Sequence, residues 1–422
     1  MARSRSNKSV KLEHQSRRVF GQQGTDFQEG VNFTRLREER LGKLQEAMKA
    51  HDLAALLLTQ GDNIRYATGT WDFVWRANSQ CRYCLVFESG QPILFETVGE
   101  DTECVKLHTP WLADRIRPAI TYLFAEAAFD AQLARYAAQI QETLKEAGLN
   151  PGEDQLGVDT MDFITHEAFR AAGIRVVSGA QAIKKARLTK TQDELELLKI
   201  ACSVADACFW RLREEWVEPG VREVDVAGKI TDFFFSHGFQ MARPGAVASG
   251  CNTNPYLRGW TDKVINRGDM VIIDLAGENY MGYSVDYVRC WPVCAPFTRE
   301  QKEVYKECYE SMYAAMDAIK PGATTADVAR AFPPYADDEY KTCSLIQFGH
   351  STGISHYEGY WISRGFSLDY PMPIEENMFF AIETYAARPG GVDGARLEEN
   401  VVVTETGYEV FSRFPFEEEA MR

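Results

Sequence analysis

The chain has 422 residues, of which 45% are hydrophobic and 25% charged, and its formal net charge is −15 at pH 7. This length exceeds the roughly 250–300 residues that one core usually supports, so two domains are expected. The acidic balance argues against nucleic acid or an anionic membrane as a partner, and no apolar run approaches the ~20 residues of a membrane span.

Residues 1–33 are predicted to form a basic arm. Six lysines and arginines occur in the first 20 residues against one acid, Glu13, but the apolar stretch of a secretion signal is missing. We interpret the arm as a disordered tail or as a segment that packs on a partner subunit, with an organelle transit peptide as the alternative. The ten cysteines are scattered, which favours reduced thiols and a cytoplasmic location.

Residues 34–185 are predicted to form a mixed α/β domain. Apolar residues recur at helical spacing over 34–50, and Leu53 to Leu58 form an apolar run of strand length. The further predicted elements are two strands around Ser89-Gly90, a helix over 130–147, and short strands at 156–158 and 174–177.

Residues 190–413 are predicted to form a second, α+β domain. Thr191 and Glu194 have the spacing of a capping box, so a long helix should start there. Farther on, the segments 219–227 and 321–329 share five of nine positions, and each follows a helical segment. This short repeat predicts two related half-domains with pseudo-symmetry.

Two aspartates flank a predicted hairpin in the second domain. The apolar strand that begins at Met270 ends in Asp274, and after a turn over 277–282 the chain returns through Asp286. Two carboxylates brought this close repel each other at low dielectric, so they require a shared proton or cations. In the alternative interpretation, one aspartate caps a turn and the other is exposed.

Three more ionisable residues lie in or beside apolar segments: His350, Glu383 and Glu398. Burying a carboxylate without compensation costs several kcal/mol, whereas a metal ion converts that cost into coordination energy. Four carboxylates and one imidazole suit divalent transition-metal ions such as Mn²⁺, Fe²⁺, Co²⁺ or Zn²⁺. The sequence therefore predicts a metal site and leaves the ion open.

The order of these residues resembles the pita-bread metallopeptidase superfamily, which includes methionine aminopeptidases, Xaa-Pro dipeptidases and creatinases. The matching residues are Asp274, Gly282-Tyr283, Asp286, Arg289, His350, Glu383 and Arg396-Leu397-Glu398 ahead of Val401-Val-Val-Thr404. The resemblance implies a creatinase-like domain over 34–185, a pita-bread catalytic domain over 190–413 and a homodimer. It also implies two metals, one bound by Asp274, the other by His350 and Glu383, and both bridged by Asp286 and Glu398.

The chain departs from the peptidases of this superfamily in two loops. The segment from Ser249 to Tyr256 contains no histidine, where those peptidases carry one, and His350 and His356 are six residues apart instead of seven. Both loops are similar to those of the pita-bread dimethylsulfoniopropionate lyases. Those lyases, however, have an aspartate at the position of His356 and a further metal-site aspartate at that of Ala276.

Three functions are consistent with these residues. The first is hydrolysis of an amide-like, Xaa-Pro-type C–N bond by metal-activated water, with Glu383 or His356 transferring the proton. The alternative is a lyase that releases dimethyl sulfide and acrylate, and the third is a non-catalytic binding module. The expected substrate is a small molecule, either a dipeptide or a cation held by aromatic rings. Candidate substrate-binding residues are Tyr256, Trp260 and Arg289, with Trp71, Phe73 and Trp75 as further aromatic candidates.

Overall fold

The computed structural model divides the chain into two compact units, Met1–Arg187 and Leu188–Arg422. The structure describes residues 30–70, 81–97, 100–123, 125–332 and 348–422. Most of the basic arm and three aromatic candidates lie outside these ranges, namely residues 1–29, Trp71, Phe73 and Trp75. Among the described helices, none combines the length and the apolar character needed to cross a membrane.

The first unit contains a six-stranded mixed sheet. Its strands are β1 (Ala55–Leu58), β2 (Tyr83–Phe87), β3 (Ile93–Glu96), β4 (Ile116–Pro118), β5 (Leu156–Val158) and β6 (Val176–Ser178). They lie in the order β4-β3-β2-β1-β5-β6, and β2 is antiparallel to both of its neighbours while the other pairs are parallel. The mixed sheet with helices is the α/β arrangement that the apolar runs predict.

The described residues of the first unit form six α-helices, the last of which ends at Leu188, the first residue of the second unit. They are α1 (Phe33–Ala50), α2 (Gly61–Thr68), α3 (Glu100–His108), α4 (Phe129–Glu146), α5 (Phe163–Ala171) and α6 (Ala180–Leu188). The side chain of Asn32 caps α1 by accepting a hydrogen bond from Arg35 N at 3.1 Å, which explains why the helix begins at Phe33. Tyr83, Phe95 and Phe169 are fully buried in the core of this unit.

The second unit contains two antiparallel sheets. Its strands are β7 (Ala246–Ser249), β8 (Met270–Tyr280), β9 (Tyr283–Pro292), β10 (Gly349–Ser351), β11 (Trp361–Ile362), β12 (Phe379–Ala387), β13 (Gly394–Val403) and β14 (Tyr408–Val410). One sheet has the order β7-β8-β9 and the other the order β11-β10-β12-β13-β14.

The helices of the second unit cover these sheets. They are α7 (Gln192–Arg211), α8 (Glu223–Ser236), α9 (Arg299–Met316), α10 (Thr325–Ala331), α11 (Arg364–Ser367) and α12 (Glu418–Met421). The predicted capping box of Thr191 and Glu194 is present at the start of α7. Helix α9 packs on β12 and β13, and its side chains Val304, Cys308 and Met312 are buried there.

The two copies of the internal repeat form similar local structures. Each copy begins with a Pro-Gly turn whose glycine has a positive φ, +99° at Gly220 and +86° at Gly322. Each turn then leads into a helix, α8 or α10, where a carboxylate accepts a backbone hydrogen bond from the residue three positions earlier. Asp225 accepts from Arg222 N at 3.3 Å, and Asp327 accepts from Thr324 N at 2.8 Å.

The hairpin of β8 and β9 is tighter than the sequence predicts. Strand β8 continues to Tyr280 through a bulge at residues 277–278, so the turn itself consists of Met281 and Gly282, with φ of +50° and +101°. The side chain of Asn279 closes the turn, because its amide donates to Gly282 O at 2.7 Å and its carbonyl accepts from Gly282 N at 2.9 Å. These bonds allow the strand to extend beyond the predicted turn start.

Candidate metal centre

The hairpin places Asp274 and Asp286 on one face of the first sheet. Asp286 on β9 lies opposite Ala276 on β8, two residues from Asp274. Since side chains two residues apart point to the same side of a strand, both carboxylates share a face. Their residues are only 8% and 4% exposed, so the interpretation with one exposed aspartate is wrong.

The second sheet contributes the other three predicted residues. Glu383 on β12 is the direct cross-strand partner of Glu398 on β13. His350 on β10 lies opposite Ala381, two residues before Glu383, so its imidazole is on the same face. All three residues are at most 2% exposed.

Asn400 joins the two sheets at this point. Its side-chain amide donates to the backbone carbonyl of Asp286, and its side-chain oxygen accepts from Asp286 N at 3.3 Å. Asn400 lies on β13 two residues after Glu398 and is fully buried. Asn400 is not among the candidate residues drawn from the sequence, although a polar amide ahead of three valines is a signal of a buried hydrogen bond.

The five side chains form one cluster. Their ligand atoms fall into sets whose members lie within 4.8 Å of one another, including Asp274, Asp286 and Glu398 in one set and His350, Glu383 and Glu398 in another. Glu398 belongs to both sets, so the two could hold two ions that share one carboxylate. A third set of the same size contains Asp286, His350 and His356.

The electrostatics of the cluster suit a bound cation. Burial, and then the charge of Asp286, raises the pKa of Asp274 to about 6, and burial with both aspartates raises the pKa of Glu398 well above its usual range. Asp274 Oδ1 and Glu398 Oε1 are buried without a hydrogen-bond partner among the described residues. Unpartnered buried carboxylate oxygens beside an imidazole fit a divalent metal ion, which supplies both the charge and the missing ligand bonds.

Neighbouring side chains orient the cluster. The Tyr256 hydroxyl donates to Asp274 Oδ2 at 2.8 Å, and the guanidinium of Arg396 pairs with Glu383. His350 Nδ1 lies 3.2 Å from the carbonyl oxygen of Ser351, which can only accept, so Nδ1 is the protonated nitrogen in this contact. The other nitrogen, Nε2, then faces Asp286 Oδ2 at 3.0 Å, as a metal-ligating histidine requires.

His356 stands at the edge of the cluster. Its Nε2 lies 3.5 Å from Asp286 Oδ2, and its side chain is 23% exposed. Burial lowers the pKa of His356 against the opposing attraction of Asp286. The loop that carries His356 is anchored by a buried ion pair, since Lys190 Nζ lies 2.7 Å from Glu358 Oε1. His356 is a candidate from the sequence alone, whereas the pairing of Lys190 with Glu358 is not.

Two aromatic residues beside the histidines were also missed from the sequence. The ring centroid of Tyr357 lies 4.0 Å from that of His356 and 4.6 Å from that of His350, yet half of Tyr357 is exposed. Trp361 is the cross-strand partner of His350 and stacks near it at 5.9 Å. Tyr357 lies in an irregular loop, and Trp361 begins a strand of only two residues. Neither position therefore belongs to a helical or strand periodicity that could be recognised in the sequence.

The remaining substrate-binding candidates are placed differently. Tyr256 is in the cluster, but Arg289 is three residues from Asp286 and therefore lies on the opposite face of β9. There its guanidinium is 2.8 Å from Glu399 Oε1 and donates to Glu398 O at 2.7 Å. Trp260 is half-buried in the loop after β7, and within the described ranges no hydrogen bond or ring pair joins it to the cluster.

Comparison with known families decides the class of the protein. Residues 196–405 match the metallopeptidase family M24, and residues 40–189 match the creatinase/prolidase N-terminal domain. The chain belongs to metallopeptidase family M24. As an M24 protein it is a metal-dependent hydrolase by class, which confirms the predicted family and argues against the non-catalytic alternative.

Relatives of the M24 chain include proteins with two different activities. It is 23% identical over 409 residues to the dimethylsulfoniopropionate lyase DddP of Roseovarius nubinhibens, which covers 94% of this chain and 90% of the relative. It is 34% identical over 232 residues to an Xaa-Pro dipeptidase of Pyrococcus furiosus. This alignment covers 53% of this chain and 63% of the relative.

Solved structures show the same fold. An Xaa-Pro dipeptidase from Bacillus anthracis matches with a TM-score of 0.73 at 23% identity, covering 90% of this chain and 99% of that chain. Aminopeptidase P from E. coli matches with a TM-score of 0.68 at 19% identity, covering 91% and 97%. These likenesses confirm the predicted combination of a creatinase-like domain and a pita-bread domain.

Proposed function

We propose that this M24 protein hydrolyses the C–N bond of a small, amide-like substrate of the Xaa-Pro type, using two divalent metal ions. The observation that carries the proposal is the sharing of Glu398 between two sets of ligand atoms. Divalent ions held there would supply Lewis-acid chemistry, which lowers the pKa of water and polarises a carbonyl group. In this assignment Asp274 would hold one ion and His350 with Glu383 the other, while Asp286 and Glu398 would contribute to both.

The charge of the cluster supports the binding of divalent cations. Its four carboxylates carry four negative charges when ionised, and Arg396 beside Glu383 carries one positive charge. One divalent ion would leave a single negative charge and two would leave a single positive charge, among residues that are at most 8% exposed. Without any cation the uncompensated charge would be larger, and it would cost several kcal/mol in a protein interior.

The neighbouring residues have distinct parts in the proposed reaction. His356 Nε2 faces the cluster from its exposed edge, so it is the group placed to give or accept a proton at the substrate. Glu383 is the second candidate for proton transfer, since Arg396 pairs with Glu383 Oε2 and leaves Oε1 on the cluster side, 4.0 Å from His350 Nε2. Tyr256 holds the orientation of Asp274 through its hydroxyl.

A lyase reaction is the second candidate function. The likeness to a dimethylsulfoniopropionate lyase over 94% of the chain favours it, as does the lack of a histidine between Ser249 and Tyr256. Ala276 argues against it, because this residue lies directly opposite Asp286, where the lyases carry a further metal-site aspartate. The methyl group of Ala276 offers no ligand atom, so the lyase ligand set is incomplete here.

A direct assay separates the two functions. The protein is stripped with a chelator, reloaded with Mn²⁺, Fe²⁺, Co²⁺ or Zn²⁺, and incubated with Ala-Pro and with dimethylsulfoniopropionate. Metal-dependent release of free proline without dimethyl sulfide is the expected result. Release of dimethyl sulfide without proline would replace the hydrolase by the lyase. Asp274→Asn should abolish either activity, whereas Glu409→Gln, which changes an exposed carboxylate on β14, should leave it intact.

A further inference from the structure

A cavity of about 280 Å³ lies in the first unit, beyond the carboxyl ends of two parallel strands. Strand β1 ends at Leu58 and β5 at Val158, and the two strands are neighbours in the sheet. From these ends the chain leaves in opposite directions, since β2 lies on the far side of β1 and β6 on the far side of β5. Loops that diverge in this way leave a crevice between them, and open α/β sheets bind ligands in such crevices.

Hydroxyl groups dominate the lining of this cavity. They belong to Thr59, Thr160, Thr165, Tyr122 and Tyr136. Among the described residues that line the cavity there is no arginine, lysine or histidine, so an anionic ligand would find no cationic partner. The volume lies just below the roughly 300–1,000 Å³ of pockets for drug-sized ligands, which suits a molecule with a single ring.

The position that a phosphate group would take beside the cavity is filled by a carboxylate. At the start of α2, Asp159 Oδ2 accepts from Gln60 N at 2.8 Å and from Asn63 Nδ2 at 3.0 Å. Asp159 Oδ1 accepts from Thr59 Oγ1 at 2.8 Å and from Thr160 N at 2.7 Å. Backbone amides at a helix start are common ligands of phosphate, and here Asp159 occupies them. Phosphorylated ligands are therefore disfavoured.

A second carboxylate, that of Asp162, also serves donors of the protein. Its Oδ1 accepts from Thr165 N at 2.7 Å, which caps helix α5. Its Oδ2 accepts from Thr165 Oγ1 at 2.9 Å and from the Tyr122 hydroxyl at 3.1 Å. Since both carboxylates already accept several hydrogen bonds, neither presents an unpaired charge to a cationic ligand. The groups that remain for a ligand are neutral hydroxyls.

Tyr136 is the buried polar side chain that the protein leaves without a partner here. The residue is 4% exposed, and its ring centroid lies 4.8 Å from that of Tyr83 and 5.3 Å from that of Phe169. The side chain lines the cavity, and no hydrogen bond joins its hydroxyl to another residue in the described ranges. Burial raises the pKa of Tyr136, so the hydroxyl keeps its proton at neutral pH. Buried tyrosine hydroxyls usually have a partner, and the cavity is where one can bind.

We propose that this cavity binds a neutral, polyhydroxylated molecule with a single ring, such as a monosaccharide. The hydroxyls of such a ligand both donate and accept, as do those of Tyr136 and Thr160 in the lining. The ring of Tyr122 and the side chain of Met161 supply apolar surface for the C–H groups of the ligand. All lining residues belong to the first unit, so binding there does not depend on the hydrolysis proposed above.

Saturation-transfer NMR on the full chain tests this proposal. The probes are D-glucose, D-ribose and myo-inositol, each at about 10 mM, which occupies most of a site whose Kd is about 1 mM. At least one of them should bind. Tyr136→Phe and the isosteric Thr160→Val should each weaken this binding by about 2–10-fold, the contribution of one neutral hydrogen bond. Without a probe, the Tm of Tyr136→Phe should equal or exceed that of the wild type, because the lost hydroxyl has no partner in the free protein.

Two control variants locate the binding. Tyr370→Phe removes the hydroxyl of a tyrosine that is 75% exposed and belongs to the second unit, and it should leave the affinity unchanged. Asp274→Asn alters the metal centre and should also leave the affinity unchanged. Loss of binding in Asp274→Asn would assign the probe to the metal centre and overturn the site.

Charged probes test the class of ligand. Inorganic phosphate and ethylammonium, at the same concentration, should show no binding that Tyr136→Phe weakens. The proposal is overturned if none of the three polyols binds the wild type, or if Tyr136→Phe binds them as tightly as the wild type does. Binding of phosphate or ethylammonium that depends on Tyr136, in place of the polyols, overturns it as well.

Discussion

Replacement of Glu398 by glutamine tests whether this carboxylate stabilises the protein through metal binding or through the fold itself. Glu398 is 1% exposed, and burial together with Asp286 and Asp274 raises its pKa well above the usual range. In the metal-free protein, Glu398→Gln removes a source of like-charge repulsion, so its Tm should equal or exceed that of the wild type. With metal present the order should reverse, because both ligand sets lose the carboxylate that they share.

The expected change in Tm follows from the linkage between metal binding and folding. A ligand at a hundredfold excess over its Kd stabilises the folded state by about 2.7 kcal/mol. In a domain of roughly 150–250 residues this stabilisation raises Tm by about 5–10 °C, since each kcal/mol contributes about 2–4 °C. Glu398→Gln should reduce the metal-induced rise to less than about 2 °C, the equivalent of at most about 1 kcal/mol.

The adjacent Glu399 provides the matched comparison. It faces the opposite side of β13, where Glu399 Oε1 is 2.8 Å from Arg289 Nη2. Glu399→Gln should destabilise the protein by roughly 3–5 kcal/mol because it leaves the charge of Arg289 buried, while the metal-induced rise in Tm persists. Scanning calorimetry of the three proteins with chelator and with Mn²⁺ measures both effects. A full metal-induced rise in Glu398→Gln, or its loss in Glu399→Gln, would refute the assignment.

Three further changes test the surroundings of the centre. His356→Ala should lower kcat by about 10²–10⁴-fold with unchanged metal content, and parallel loss of metal would instead identify His356 as a ligand. Tyr357→Leu should raise KM by about 2–10-fold because the half-exposed ring faces the histidines, whereas Tyr357→Phe should not; equal KM values for both variants would exclude this wall from substrate binding. Lys190→Met should destabilise the protein by roughly 3–5 kcal/mol in urea unfolding by leaving Glu358 unpaired, and adding Glu358→Leu should restore most of that loss. Equal stabilities of the single and double variants would contradict a compensated pair.

That Asp274, Asp286, His350, Glu383 and Glu398 come together was predictable because these residues lie on strands. The apolar run ending in Asp274 and the short return to Asp286 imply a hairpin, and alternation along β9 places Asp286 on the side of Asp274. The same alternation predicts that Arg289, three residues farther on, faces away. Arg289 is a substrate candidate in the sequence because the resemblance groups it with the ligands, whereas the strand register separates it from them.

Other features could not be derived from local patterns. The bond between Asn400 and Asp286 joins strands that are more than a hundred residues apart, so no spacing in the sequence reveals it. Tyr357 lies in an irregular loop, where neither helical nor strand periodicity indicates the direction of a side chain. Its ring lies beside His350 and His356 only because the backbone folds back there.

Metal stoichiometry tests the central claim, a centre of two ions in an M24 hydrolase, most directly. Chelator-treated protein is titrated with Mn²⁺, and bound metal and release of proline from Ala-Pro are measured in the same samples. Saturation at two ions per chain, with hydrolysis rising as the sites fill and both lost in Glu398→Gln, is the predicted result. Saturation at one ion or none, or unchanged loading of Glu398→Gln, would contradict a centre bridged by Glu398.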